Sequence, residues 1–132
     1  MVFGGSSLPH RRSNGALVAP LPRRLQGVYP FEGRGLDQPF LLTDELFYEV
    51  PLDKHAQLLY FRAGNSTDEM IYVVLMQNDR PKRYFPIGSR ADSHVTLAIT
   101  EDIEPGNHFE IHIAAPERLC GWIVLDLGLM EF

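Results

Sequence analysis

Short apolar runs recur every 8 to 15 residues between Phe40 and Leu129, and turn-forming residues separate them. The interruptions are rich in Gly, Pro, Asn and Asp, as in residues 64–68 and 78–81. Regularly spaced short strands with such turns between them are typical of antiparallel β-sandwiches. The pattern therefore predicts an all-β, antiparallel β-sandwich of about seven or eight short strands, Ig-like or jelly-roll-like. The predicted strands cover residues 40–42, 46–50, 57–63, 70–77, 82–87, 94–100, 108–114 and 120–127.

Two of these runs alternate cleanly between apolar and polar positions, namely residues 94–100 and 108–114. Alternate side chains of a strand point to opposite faces, so the apolar set of each run is expected to face a core. The predicted inward residues are Val95, Leu97, Ile99, Phe109, Ile111 and Ile113. We further expect Phe61, Val73 and Trp122 to be nearly inaccessible, and Cys120 to be a small core residue beside Trp122.

Residues 43–50 fit two local structures. Thr43 is a suitable N-cap for a short helix, and the apolar positions 46, 47 and 50 suit one helical face. Pro51 would end such a helix almost at once, because proline lacks the backbone N–H that a helix interior requires. We therefore expect a strand here.

The first 36 residues differ in composition from the rest of the chain. They contain ten glycines or prolines, show no regular hydrophobic period and carry a net charge of +4, whereas residues 37–132 carry −9. This composition indicates an extended or partly disordered basic N-terminal arm over residues 1–36. The β-sandwich domain is expected to span residues 37–132.

Charge and cysteine content limit the setting. A single cysteine excludes an internal disulfide, and no run approaches the roughly 20 apolar residues of a membrane span. With no recognisable secretory signal, we expect a cytoplasmic protein that does not contact membranes. The acidic body disfavours nucleic acid as a partner, because like charges repel the phosphate backbone.

Residues 71–76 are apolar at both odd and even positions. One face of a sandwich strand normally meets water, so a strand that is apolar on both faces indicates that something covers its outer face. The cover could be the N-terminal arm, a second copy of the chain or a different protein. The residues expected to bind such a partner are Tyr72, Val74 and Met76.

A basic segment, residues 80–90, contains four of the seven basic residues of the body and no acid. A patch of this kind suits an anionic partner surface or pairs with the acids of the same chain. The residues of this segment that we expect to contact a partner are Arg80, Lys82, Arg83, Tyr84 and Arg90.

The sharpest candidate for chemistry is His108-x-Glu110-x-His112, whose three side chains share one strand face. Two imidazoles and a carboxylate are ligand types that zinc and related metals accept. His94, on the preceding strand, could join them if the strand register suits. The alternative is that these are ordinary polar residues on a solvated strand face.

Catalytic motifs are missing from the sequence. It holds no G-x-S-x-G, P-loop or G-x-G-x-x-G motif, and the neighbours Asp92, Ser93 and His94 cannot form a relay because adjacent strand residues point to opposite faces. We therefore expect a non-catalytic binding or accessory protein without a cofactor, which self-associates or docks on a larger protein. The alternatives are a metal-dependent enzyme or metal-binding protein using His108, Glu110 and His112, and a carbohydrate-binding module. The stacking platform of that module would come from Tyr60, Tyr72, Tyr84 or Trp122.

Overall fold

A computed structural model describes residues 10–11, 17–96 and 102–132 of the chain. It confirms the predicted fold class, because two antiparallel sheets pack face to face as a β-sandwich. A separate two-stranded pairing joins β1 (His10–Arg11) to β2 (Leu17–Val18). Within these described ranges, no helix is long and apolar enough to cross a bilayer.

Sheet I is organised around the last strand of the chain. Its five strands are β3 (Leu21–Glu32), β6 (Ala56–Asn65), β9 (Asp92–Thr96), β10 (Asp102–Ile103) and β12 (Cys120–Glu131). β12 lies in the centre, where it pairs along one side with the whole of β3 and along the other with β6. β9 and β10 pair with the far side of β6.

Sheet II contains the strand that carries the predicted histidine motif. Its five strands are β4 (Phe40–Leu41), β5 (Tyr48–Glu49), β7 (Ile71–Gln77), β8 (Arg80–Ile87) and β11 (His108–Ala114). β11 pairs with β7 on one side and with the short strands β4 and β5 on the other, while β8 forms a hairpin with β7. β7 and β11 are therefore the two inner strands of this sheet.

The core lies between the two sheets and agrees with most of the predicted positions. Phe61, Val73 and Ile111 are buried, as expected. Phe61 of sheet I stacks on Phe85 of sheet II, with ring centroids 4.0 Å apart. Parallel aromatic rings in contact across the sandwich bury a large apolar area at one point and fix how the sheets face each other. The predicted core residues Leu97 and Ile99 lie outside the described residues, and of Val95 the structure describes only the backbone pairing with Phe61.

Two predicted core positions on β12 are wrong. Trp122 is 54% exposed and Cys120 is also exposed. The reason is the alternation of the strand, since Ile123, Leu125 and Leu127 are buried and the residues between them must face outward. The even positions of β12 therefore point away from the core.

The predicted boundary at residue 37 is placed too far along the chain, because β3 belongs to sheet I. β3 contains Pro22 and Pro30, which usually argue against a strand. Opposite Pro30, the N–H of Trp122 donates to Ser66 Oγ and its C=O accepts from the Ser66 N–H. Trp122 therefore directs no backbone group toward β3, and the nitrogen of Pro30 points to the open side of the sheet, where no hydrogen bond is lost.

The segment after β4 also differs from expectation. Residues Asp44–Leu46 form a single 3-10 turn, and the side chain of Thr43 accepts a hydrogen bond from Glu45 N as its N-cap. The expected strand over residues 46–50 is reduced to Tyr48–Glu49. The N-cap preference of Thr43 thus outweighed the strand pattern over the first few residues.

A buried polar contact closes one end of the sandwich. Glu131 of β12 is 2% exposed, and its Oε2 accepts a hydrogen bond from the hydroxyl of Tyr48 in sheet II. The Nε of Arg23 lies 3.3 Å from the same oxygen. Burial, followed by the bond to Glu131, raises the pKa of Tyr48 above its usual value of 10.0. This cluster links β3, β5 and β12.

The first prediction concerns the core. Replacing Ile111 by Ala should lower the free energy of unfolding by about 2–5 kcal/mol, because the site loses buried methyl groups and keeps a cavity. Urea denaturation measures the change. Leu52→Ala, at an exposed loop position, is the control and should change stability by less than about 0.5 kcal/mol. A wild-type midpoint for Ile111→Ala would mean that this residue is not packed as described.

The second prediction concerns the closing contact. Tyr48→Phe should cost about 1–3 kcal/mol at neutral pH, because it removes a donor from a buried carboxylate. Because folding raises the pKa of Tyr48, the contribution of this residue to stability should be constant below pH 10 and fall above it, where only the unfolded state ionises. Tyr48→Phe should make that fall shallower. Tyr84→Phe, at an exposed position, should leave the pH profile unchanged.

Candidate functional site

The predicted apolar contact face lies on the outer side of sheet II and is only partly accessible. Tyr72 and Met76 are half-buried, and the hydroxyl of Tyr72 donates a hydrogen bond to the Leu36 carbonyl. Val74 lies in the register row between His112 and Tyr84 and is 1% exposed. Val74, which the sequence predicted as a partner contact, is therefore covered by the chain itself in this structure.

The basic segment spreads over β8 and the turn that follows. Arg80, Lys82 and Tyr84 are exposed, and Arg83 is half-buried. Arg90 does not point to a partner, because its Nε donates to Asp68 Oδ1 of the same chain. That hydrogen bond, more than the charge of Arg90, lowers the pKa of Asp68. The positive charge of Arg90 is therefore paired with a carboxylate of the same chain.

The predicted metal residues are brought together in part. His108 and Glu110 lie on the outer side of sheet II and approach Asp79, with potential ligand atoms of all three within 4.8 Å of one another. His112 is not in this group. It lies two residues farther along β11, between Leu41 of β4 and Val74 of β7. Of His94, the structure describes only the backbone pairing with Arg62.

A second exposed face, for which the sequence indicated only Trp122 as one possible stacking residue, lies on the outer side of sheet I. Trp122, Val124 and Val28 are each more than half exposed, at 54%, 51% and 56%. They occupy neighbouring register rows, because Trp122 pairs with Pro30 and Val124 pairs with Val28. We call this set, with the polar residues described next, the Trp122 face. Exposed apolar side chains in one contiguous strip are uncommon on a protein without a binding role.

A groove of about 770 Å³ runs along the same face. Gly64 forms part of its floor, where no side chain rises between β6 and β12. An adjoining hollow of about 410 Å³ shares Gly64, Asp92 and Val124 with the groove and reaches Trp122. The two together form a continuous trough from Trp122 to the polar side chains that line the groove, Gln26, Arg62, Asp92 and Asp126.

The polar end of the trough is held in place by hydrogen bonds. The hydroxyl of Tyr60 donates to Asp126 Oδ1 at 2.9 Å, and Arg62 Nη1 lies 4.0 Å from Asp126 Oδ2. The ring of Tyr60 rests on Gly128, where any larger side chain would collide with it. Burial, followed by the bond to Asp126, raises the pKa of Tyr60, and a hydrogen bond with Arg24 opposes the rise. Asp126 therefore offers a fixed acceptor, and the more exposed Arg62 lies beside it as a donor.

The signal for the Trp122 face is present in the sequence. In residues 122–127 the odd positions Ile123, Leu125 and Leu127 are all large aliphatic residues, whereas the even ones include Asp126. Period two along the strand therefore assigns Trp122 to the same side as a carboxylate. Because tryptophan is large and apolar, Trp122 was expected in the core despite this pattern.

Comparison with known proteins gives no family. No family model matches the chain, and no curated protein sequence matches it. Among solved structures, it is similar to the CBM36-1 domain of a multidomain xylanase from the hindgut metagenome of Trinervitermes trinervoides. That match has 12% identity, a TM-score of 0.45, and covers 80% of this chain and 95% of that one.

Two further likenesses involve larger proteins. The infectious bursal disease virus structure of the Gx strain matches with 12% identity and a TM-score of 0.48, covering 87% of this chain and 34% of that one. Exo-beta-1,3-galactanase from Phanerochaete chrysosporium matches with 13% identity and a TM-score of 0.34, covering 89% and 30%. This chain thus spans about a third of either protein, and at such scores the matches assign it no ligand.

Proposed function

We propose that this protein is a non-catalytic binding domain and that its ligand is a neutral carbohydrate chain held on the Trp122 face. The observation that carries the proposal is the exposure of Trp122 at one end of a trough whose other end is polar and hydrogen-bonded. Small-ligand sites usually combine apolar walls with a few fixed polar groups in this way. In this proposal the ligand binds to the outer side of sheet I, whereas the sequence predicted a contact face around Tyr72, Val74 and Met76.

The chemistry of the face suits a sugar ring. A pyranose has an apolar C–H face, which packs on the flat surface of an aromatic side chain, and hydroxyl groups that both donate and accept hydrogen bonds. Trp122 supplies the surface, while Asp126 and Arg62 supply an acceptor and a donor. A ligand that contacts both ends needs this mixture of apolar and hydroxyl-rich surface.

The dimensions favour a chain of sugars over a single one. Trp122 and Asp126 are four residues apart on β12, which corresponds to roughly 14 Å along a strand. One sugar ring does not span that distance. Because the trough is open, we expect binding along the interior of a chain as well as at its end.

The second candidate is docking of another copy of this chain on the outer side of sheet II, together with the basic segment. Tyr84 is 59% exposed and packs against Tyr72 with ring centroids 6.0 Å apart. Arg80 and Lys82 are exposed on the same strand, and the body of a second copy carries a charge of −9 over residues 37–132. Basic residues beside an aromatic pair are complementary to such an acidic surface.

The third prediction tests the carbohydrate proposal. Titration with a panel of neutral polysaccharides and their oligosaccharides should change the emission of Trp122, which is the protein's only tryptophan. Trp122→Ala, followed by calorimetry, should weaken binding about tenfold or more, because a stacking contact contributes about 0.5–1.5 kcal/mol beyond its buried area. Asp126→Asn should also weaken it. The matched control is Tyr84→Ala, an exposed aromatic on the other sheet.

The results separate the two candidates. Binding that survives Trp122→Ala but is lost with Tyr84→Ala would move the site to sheet II, and a panel without any bound glycan would contradict a carbohydrate ligand.

The fourth prediction concerns self-association, measured by light scattering. A mass above 15.0 kDa that falls when Arg80 and Lys82 become Glu, and falls with rising salt, would support docking on sheet II. Val74→Arg is unsuitable for this test, because burying a charge there would unfold the domain.

A further inference from the structure

Three potential metal ligands meet on sheet II, on the opposite side of the sandwich from the Trp122 face. Asp79 lies in the turn between β7 and β8, whereas His108 and Glu110 are alternate residues of β11 and share its outer face. One ligand atom from each lies within 4.8 Å of the other two. His108 Nε2 and Asp79 Oδ1 are 3.7 Å apart.

These separations suit a bound divalent ion. Two ligands that each lie about 2.1 Å from a tetrahedral ion are about 3.4 Å from each other. The distance from His108 to Asp79 exceeds that value by only a few tenths of an ångström. Glu110 offers an oxygen within 4.8 Å of both other ligand atoms, so rotation of its side chain has to close the remaining gap to the same point.

Backbone and ring contacts hold the ligands in place before any ion arrives. The Oδ1 of Asn78 accepts from His108 N–H at 3.0 Å, and Asn78 N–H donates to the His108 carbonyl at 3.0 Å. These bonds fix the turn against β11. The ring of Phe47 stacks on the imidazole with centroids 5.2 Å apart, which limits its rotation. Less side-chain freedom then remains to be lost on binding.

We infer that Asp79, His108 and Glu110 form a binding site for one Zn²⁺ ion. One imidazole and two carboxylates are ligand types that zinc accepts, and three protein ligands leave a fourth position for water or another group. Calcium is disfavoured, because it takes six to eight oxygen ligands and has little preference for imidazole. The site differs from the histidine motif of the sequence, since Asp79 takes the place expected for His112.

The test uses the full chain without an affinity tag, so that added histidines do not bind metal. Calorimetric titration with ZnCl₂ should give one site per chain, and zinc should raise the thermal midpoint, because an ion that binds only the folded state stabilises it. CaCl₂ and MgCl₂ should bind more weakly. Zinc binding should fall by roughly tenfold or more in His108→Ala, Asp79→Asn and Glu110→Gln.

The variants are chosen so that folding does not obscure the result. Asp79 has φ 66°, a left-handed conformation that asparagine tolerates, so Asp79→Asn should fold normally. His112→Ala is the matched control, since it removes a histidine from the same face of β11 but outside the group. Full zinc binding by His108→Ala, equal loss in His112→Ala, or no binding by the wild type would each overturn the inference. Asp79 and His108 would then form only a polar contact between two surface side chains.

Discussion

The pairing of β12 with β3 and β6 is the constraint on which the rest of the structure depends. β12 is the central strand of sheet I, and its register sends Ile123, Leu125 and Leu127 into the core. The same register sends Trp122 and Asp126 to the opposite side. A shift by one residue would exchange the two sets and bury the carboxylate of Asp126 in place of a leucine. Core packing therefore holds the Trp122 face in position, although none of its exposed residues belongs to the core.

The two proposed binding sites lie on different sheets and depend on different kinds of geometry. The Trp122 face is built from side chains of long, fully paired strands, so its shape follows from backbone regularity. The Asp79, His108 and Glu110 group combines a strand with a hairpin turn. The two sites share no residue, so a variant made at one leaves the side chains of the other in place. Binding at each can therefore be measured independently.

Much of the fold could be predicted from local pattern. Period two in residues 108–114 correctly assigned Phe109, Ile111 and Ile113 to the core. β3 was missed because its prolines are compatible with a strand only when their nitrogens face an open edge, which local sequence does not reveal. The burial of Val74 depends on the neighbouring strands, as does the approach of Asp79 to His108, since these residues are far apart in sequence. Contacts of that kind depend on register between strands and cannot be predicted from one strand alone.

The prolines of β3 have a consequence for solubility. Within the described residues β3 pairs only with β12, so a twelve-residue strand leaves one side open. An open strand of this length is a template for edge-to-edge aggregation and amyloid-like stacking of sheets. Pro30 presents a ring in place of a donor on that side, and Pro22, an even number of residues away, does the same. An incoming strand can therefore form an uninterrupted ladder only over the seven residues between them, which weakens edge-to-edge pairing through sheet I.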